Sequence, residues 1–155
     1  MKLNQFKNTE PKFYLEEYFA GKCTAWGVLE TFGGSITKQF VVEISGKLDG
    51  KELILEEEFK YKDGGVDHRK WYIIKKGEDR YDGSAEGVIG KASGSVCGQA
   101  FHWCYKFRLK VGNRHITVKF NDWMFLQTDN VLINRATISK FGIVVGRLWV
   151  FYKKH

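Results

Sequence analysis

The stretch Phe101-His102-Trp103-Cys104-Tyr105-Lys106-Phe107-Arg108-Leu109-Lys110 decides the fold class. Phe101, Trp103, Tyr105, Phe107 and Leu109 alternate with His102, Cys104, Lys106, Arg108 and Lys110. Side chains in a strand point alternately to opposite faces, so a period of two gives a strand with one aromatic and one largely cationic face. Working outward, Ile116, Val118 and Phe120 repeat the pattern, and apolar runs follow at 131–138 and 143–152. Upstream, Phe40, Val42 and Ile44 alternate with Val41, Glu43 and Ser45. Leu53, Leu55, Phe59 and Tyr61 alternate with Glu52, Ile54, Glu56 and Glu58.

Turn signals separate these runs at Gly33-Gly34, Asp49-Gly50, Asp63-Gly64-Gly65, Lys76-Gly77 and Gly112-Asn113. Asp-Gly between alternating segments marks a hairpin. Strands and tight turns in succession predict an antiparallel meander of roughly eight to ten strands. One apolar face per strand has to be buried, so the expected fold is all-β, a single antiparallel up-and-down barrel. Only Pro11 and the following FYLEEYFAG read as helical, with Leu15 and Phe19 four apart and Gly21 closing the end. This short N-terminal helix is expected to cap one end of the barrel. Residues 1–11 are expected to be a flexible segment and 12–155 the barrel domain. Gly83, Gly87, Gly90, Gly94 and Gly98 fit a strongly curved wall or one thinned for a ligand.

Composition agrees. The 155 residues include 17 Gly, 1 Pro, 12 Phe, 7 Tyr and 5 Trp, which excludes a helical bundle. No run is long and apolar enough to span a membrane as a helix. The formal net charge of +7 permits an anionic partner without requiring one. A single-strand nucleic-acid reader needs cations and aromatics on one exposed face, whereas here they fall on opposite faces, so no nucleic acid is expected. Cys23, Cys97 and Cys104 form no Cys-x-x-Cys pair, and the four histidines lack metal-ligand spacing, so no metal or other cofactor is expected. Reduced thiols and the absence of a secretory leader point to the cytoplasm. No nucleophile elbow or phosphate loop is present.

Four charges break the alternation. Glu57 shares a phase with Leu55 and Phe59, Arg69 with Trp71 and Ile73, Asp122 with Phe120, and Arg135 with Val131 and Ile133. A bulge near Asp122 or Asn130 would replace Arg135 by Asn134 on that face. Interior charges are costly unless paired, so the four either close a salt-bridge network or leave an arginine free for an anion. With Trp71, Trp103 and Tyr105, they form the expected ligand site: Glu57, Arg69, Trp71, Trp103, Tyr105, Asp122 and Arg135. The expected partner is a small, largely apolar and optionally anionic molecule bound or sequestered in the barrel. The alternative is an isomerase- or cyclase-type barrel enzyme acting on a small carbonyl or carboxylate compound, with Glu57 or Asp122 as acid or base and Arg69 as clamp.

Phe19-Ala20-Gly21-Lys22-Cys23-Thr24-Ala25-Trp26-Gly27, LEEEFKYKDG (55–64), YDGSAEGVIGKASG (81–94) and NDWMFLQTDNVLINRATISKFGIVVG (121–146) resemble an uncharacterised bacterial lipocalin-like family, domain of unknown function 3833. The resemblance runs from about Tyr18 to Phe151 and implies the same barrel, with no assigned activity. The family pattern has acids where this chain has Gly87 and Asn121, so no acid role carries over there. Many relatives look like exported lipoproteins; that location does not carry over to a chain without the leader. Trp26-Gly27 with a late arginine is also similar to the lipocalin arrangement, in which a first-strand tryptophan packs under a late-strand arginine. That likeness implies a structural role for Arg135 or Arg147.

Overall fold

The computed structural model describes residues 1–155. Ten strands follow one another: β1 (Gly21–Thr31), β2 (Ile36–Asp49), β3 (Glu52–Tyr61), β4 (Val66–Lys75), β5 (Arg80–Ala85), β6 (Val88–Cys97), β7 (Ala100–Val111), β8 (Arg114–Leu126), β9 (Val131–Lys140) and β10 (Ile143–Lys154). Each pairs antiparallel with its chain neighbours, and β1 pairs with β10, closing an up-and-down barrel. Closure removes the open edges that a ten-stranded sheet would otherwise expose. No helix is long and apolar enough to cross a membrane.

A ten-stranded barrel has a wide interior, and bulky side chains have to fill it. Here the aromatic-rich composition finds its use. Phe40, Trp71, Phe101, Trp103, Tyr105 and Phe107 are buried in one continuous core with Val42, Ile44, Leu53, Leu55 and Leu132. Trp71 and Trp103 lie with ring centroids 5.0 Å apart, and Tyr105 stacks on Phe120 at 5.1 Å. In the glycine-rich β5–β6 wall, Gly83 and Gly94 make room for Trp103. A Cβ on Gly83 would lie 2.6 Å from the Trp103 indole, so only glycine leaves room for the ring there.

One end of the barrel is plugged. The short helix α1 (Leu15–Phe19) buries Leu15, Tyr18 and Phe19, and Phe13 packs beside it. Tyr18 donates to the Asn130 carbonyl at 2.8 Å, and Lys154 Nζ donates to the Tyr18 carbonyl at 2.7 Å. Glu16 accepts from Lys75 Nζ at 2.8 Å and from the Tyr81 hydroxyl. The opposite end, formed by the turns at 32–35, 62–65, 86–87, 112–113 and 141–142, carries no cap.

Residues 1–11, the segment expected to be flexible, run along the outer wall. Phe6 packs against Trp123 and Phe125, and the Gln99 amide donates to Thr9 Oγ1 at 3.0 Å. Trp26 does not sit inside under an arginine. It points outward and is 49% exposed, because Cys23, Ala25 and Gly27 take the interior phase of β1.

Candidate functional site

β3 and β4 carry the first half of the site. Leu53, Leu55 and Phe59 are held in the core, so Glu57 faces inward; Trp71 and Ile73 place Arg69 inward in the same way. Arg69 is partly buried. Its guanidinium carbon lies 5.4 Å from the Phe59 ring centroid and 4.9 Å from that of Phe107. The chain's salt bridges are Lys60–Glu58, Lys70–Glu56 and Lys75–Glu16, so Arg69 has no ion-pair partner.

β7, β8 and β9 carry the second half. Asp122 is buried, accepts from Trp103 Nε1 at 3.2 Å and accepts from Asn134 Nδ2. The Asn134 amide also donates to the Trp123 carbonyl at 2.9 Å. Asp122 thus finds neutral donors, not an arginine, and the interior holds no closed salt-bridge network.

Of the seven expected residues, six share the interior: Glu57, Arg69, Trp71, Trp103, Tyr105 and Asp122. Arg135 does not. β9 starts at Val131 after positive-φ residues Asp129 and Asn130, and its pairing sets Asn134 opposite Met124 and Ala136 opposite Asp122. Leu132, Asn134, Ala136 and Ile138 therefore face inward, and Arg135 lies on the outer wall with its Nε buried and without a partner. Asn134 belongs to the site in its place. Tyr152 joins it from β10, whose continuous apolar run concealed its phase.

Burial sets the electrostatics. It pushes the Glu57 carboxyl up to about 7, with the Arg69 charge pulling the other way and Asp122 adding to the rise. It pushes Asp122 up to about 7 as well, opposed by the Asn134 and Trp103 hydrogen bonds. Tyr105 and Tyr152 are held well above the usual phenol range by burial. A carboxyl pushed up toward neutral pH can stand there either protonated or charged.

The enclosed space among these side chains measures about 100 Å³. That is below the roughly 300–1,000 Å³ of ordinary small-molecule pockets. A second space opens beside it. The β5–β6 hairpin is short: β5 pairs with β4 only over Trp71–Lys75, and β6 pairs with β7 no further than Val88↔Phe107. Val66–Lys70 and Leu109–Val111 consequently lack a neighbouring strand across the gap, leaving a lateral notch near the uncapped end. An open depression of about 1330 Å³ crosses the outer face of β2–β4 into this notch and reaches Glu57, Arg69, Gly87 and Phe107. Gly87 thins its floor, since a Cβ there would meet the Phe107 ring at 2.7 Å. Nothing in the alternation announces this notch, because it comes from unequal strand lengths.

Fold and site together define a plugged, ten-stranded antiparallel barrel with an acid–arginine cluster under a side opening. The chain belongs to the family described as "Protein of unknown function (DUF3833)", whose model matches residues 1–154. No curated protein matches the chain in sequence.

Proposed function

We propose that the barrel binds a small amphiphilic molecule with an acidic head group, the head on Arg69 in the notch and the apolar part against Phe59, Phe107 and Tyr105. The observation that carries this reading is Arg69 itself. It is a partly buried guanidinium without an ion pair, flanked by two aromatic rings and reached from solvent through the notch. Desolvated arginines of this kind take carboxylate or phosphate in a bidentate fashion. The 100 Å³ interior space admits only the end of such a ligand, and the rest lies in the notch. Trp71, Trp103, Asp122 and Asn134 form the floor. Arg135, on the outer wall, has no part in it.

The aromatic side chains of 101–109 are turned inward, which supports a small-molecule partner over nucleic acid. Three unpaired cysteines support a reducing, cytoplasmic location. One observation favours an enzyme of isomerase or cyclase type as a second reading: two neighbouring carboxyls titrating near 7 suit proton transfer on a carbonyl or carboxylate compound.

Native mass spectrometry of freshly purified protein tests the proposal. A co-purified acidic molecule, lost on Arg69→Gln, is the expected result. Occupancy unchanged by that substitution would overturn it. Glu57→Gln separates the two readings: retained affinity with lost turnover of the captured molecule makes it an enzyme.

A further inference from the structure

The uncapped end is not uniform. Its hairpins run around the rim in the order β1–β2, β9–β10, β7–β8, β5–β6, β3–β4. The first three carry most of the exposed apolar side chains, Phe32, Ile36, Phe141, Ile143, Val145 and Val111, whereas the other two carry Val66 and Ile89. Phe141 is 91% exposed and Phe32 81%. The two tips are joined directly, since the Phe32 amide donates to the Val145 carbonyl at 3.1 Å. The apolar strip continues down the wall through Trp26 and Phe151.

Phe141 is costly where it stands. It forms the two-residue turn with Gly142 at a φ of 52°, a left-handed conformation that a bulky side chain rarely adopts. Asn or Gly would suit the turn better. Within the chain, Lys140 Nζ lies 4.6 Å from the Phe141 ring centroid, and a partner outside the barrel would cover the rest of the exposed ring.

Charge identifies the partner. Lys38, Lys110, Arg114, Lys140 and Arg147 lie along the same three hairpins. The acid among them, Glu30, already accepts from Trp149 Nε1 at 3.0 Å. The other rim acids, Asp63, Asp67 and Glu86, belong to the remaining two hairpins. A second copy docked two-fold on this arc would set cations against cations. Outer-wall charges at Glu56, Glu58, Lys70, Lys106 and Arg108 exclude burial of the whole barrel in lipid.

We infer that this arc of the open rim docks on an anionic membrane surface, Phe32 and Phe141 entering the interface and the surrounding cations meeting lipid phosphates. Protruding aromatics ringed by Lys and Arg are the chemistry of peripheral lipid binding. The inference stands on the rim alone and does not depend on a ligand at Arg69.

Flotation of the full chain with phosphatidylcholine–phosphatidylglycerol vesicles, against phosphatidylcholine alone, is the test. The expected result is binding to the anionic vesicles that weakens with salt and falls about tenfold or more in F32S/F141S. Both positions are exposed turn residues, and circular dichroism confirms that the variant keeps its sheet. Failure of the wild-type chain to float, or equal flotation of the double variant, would overturn the inference. Concentration-dependent self-association abolished by F32S/F141S, without flotation, would assign the arc to a second copy instead.

Discussion

Glu57 and Arg69 stand directly opposite each other on β3 and β4, yet no ion pair joins them. Arg69 turns instead to the rings of Phe59 and Phe107, at the floor of the notch. The proposed function rests on this relationship: Arg69 forms no ion pair with Glu57, although its charge opposes the rise in that carboxyl's pKa, and its guanidinium sits between two aromatic rings.

Anion binding at Arg69, as proposed, should be coupled to a proton. An anionic head beside Glu57 disfavours its charged form and raises its pKa further, so binding takes up a proton. Affinity for an alkyl carboxylate should fall as pH rises through about 7, the value to which Glu57 and Asp122 are pushed. Calorimetry in buffers of different ionisation enthalpy reads the proton uptake directly. Glu57→Gln should flatten the profile.

The same acids shape stability. Their folded pKa values lie above their unfolded ones, so the native state binds more protons in the intervening window. Stability is then greatest below the unfolded values and declines as pH rises toward about 7, by on the order of a few kcal/mol for each acid. Urea titrations between about pH 5 and about pH 8 should show this decline, with a shallower one in Glu57→Gln. A flat profile in the wild-type protein would contradict the buried-acid geometry.

Gly83→Ala tests the aromatic packing. Its Cβ would press on Trp103, so the variant should lose about 1–3 kcal/mol, with an altered near-ultraviolet signal from the Trp71–Trp103 pair. A variant as stable as wild type would mean that the indole does not lie on that wall.

Arg135→Met tests the corrected position of that side chain. Its buried Nε has no partner, so removing it should leave stability unchanged or slightly raised and ligand binding unaffected. Arg69→Gln should instead weaken binding about tenfold or more while leaving the fold intact.

The barrel was legible because most strands have one apolar face, as in 101–109 and 53–61. The interior positions of Glu57, Arg69 and Asp122 followed from the same alternation. Arg135 and Trp26 were misplaced for a shared reason. In β9, Val131 and Ile133 share the outer phase of Arg135 while Leu132, Ala136 and Ile138 take the inner one, and in β1 Trp26 and Val28 face out while Ala25 and Leu29 face in, so alternation cannot choose a phase. Cross-strand register made the choice, through Asp122 opposite Ala136 and Trp26 opposite Phe151. The notch lay beyond the pattern altogether, because hydrophobic period carries no information on where a neighbouring strand stops.

Titration with a chain-length series of alkyl carboxylates measures the proposed anion binding at Arg69 most directly. The wild-type protein should show saturable one-to-one binding that strengthens with chain length until the apolar space is filled, with the affinity lost in Arg69→Gln and kept in Arg135→Met. No saturable binding anywhere in the series, or equal binding by Arg69→Gln, would contradict it.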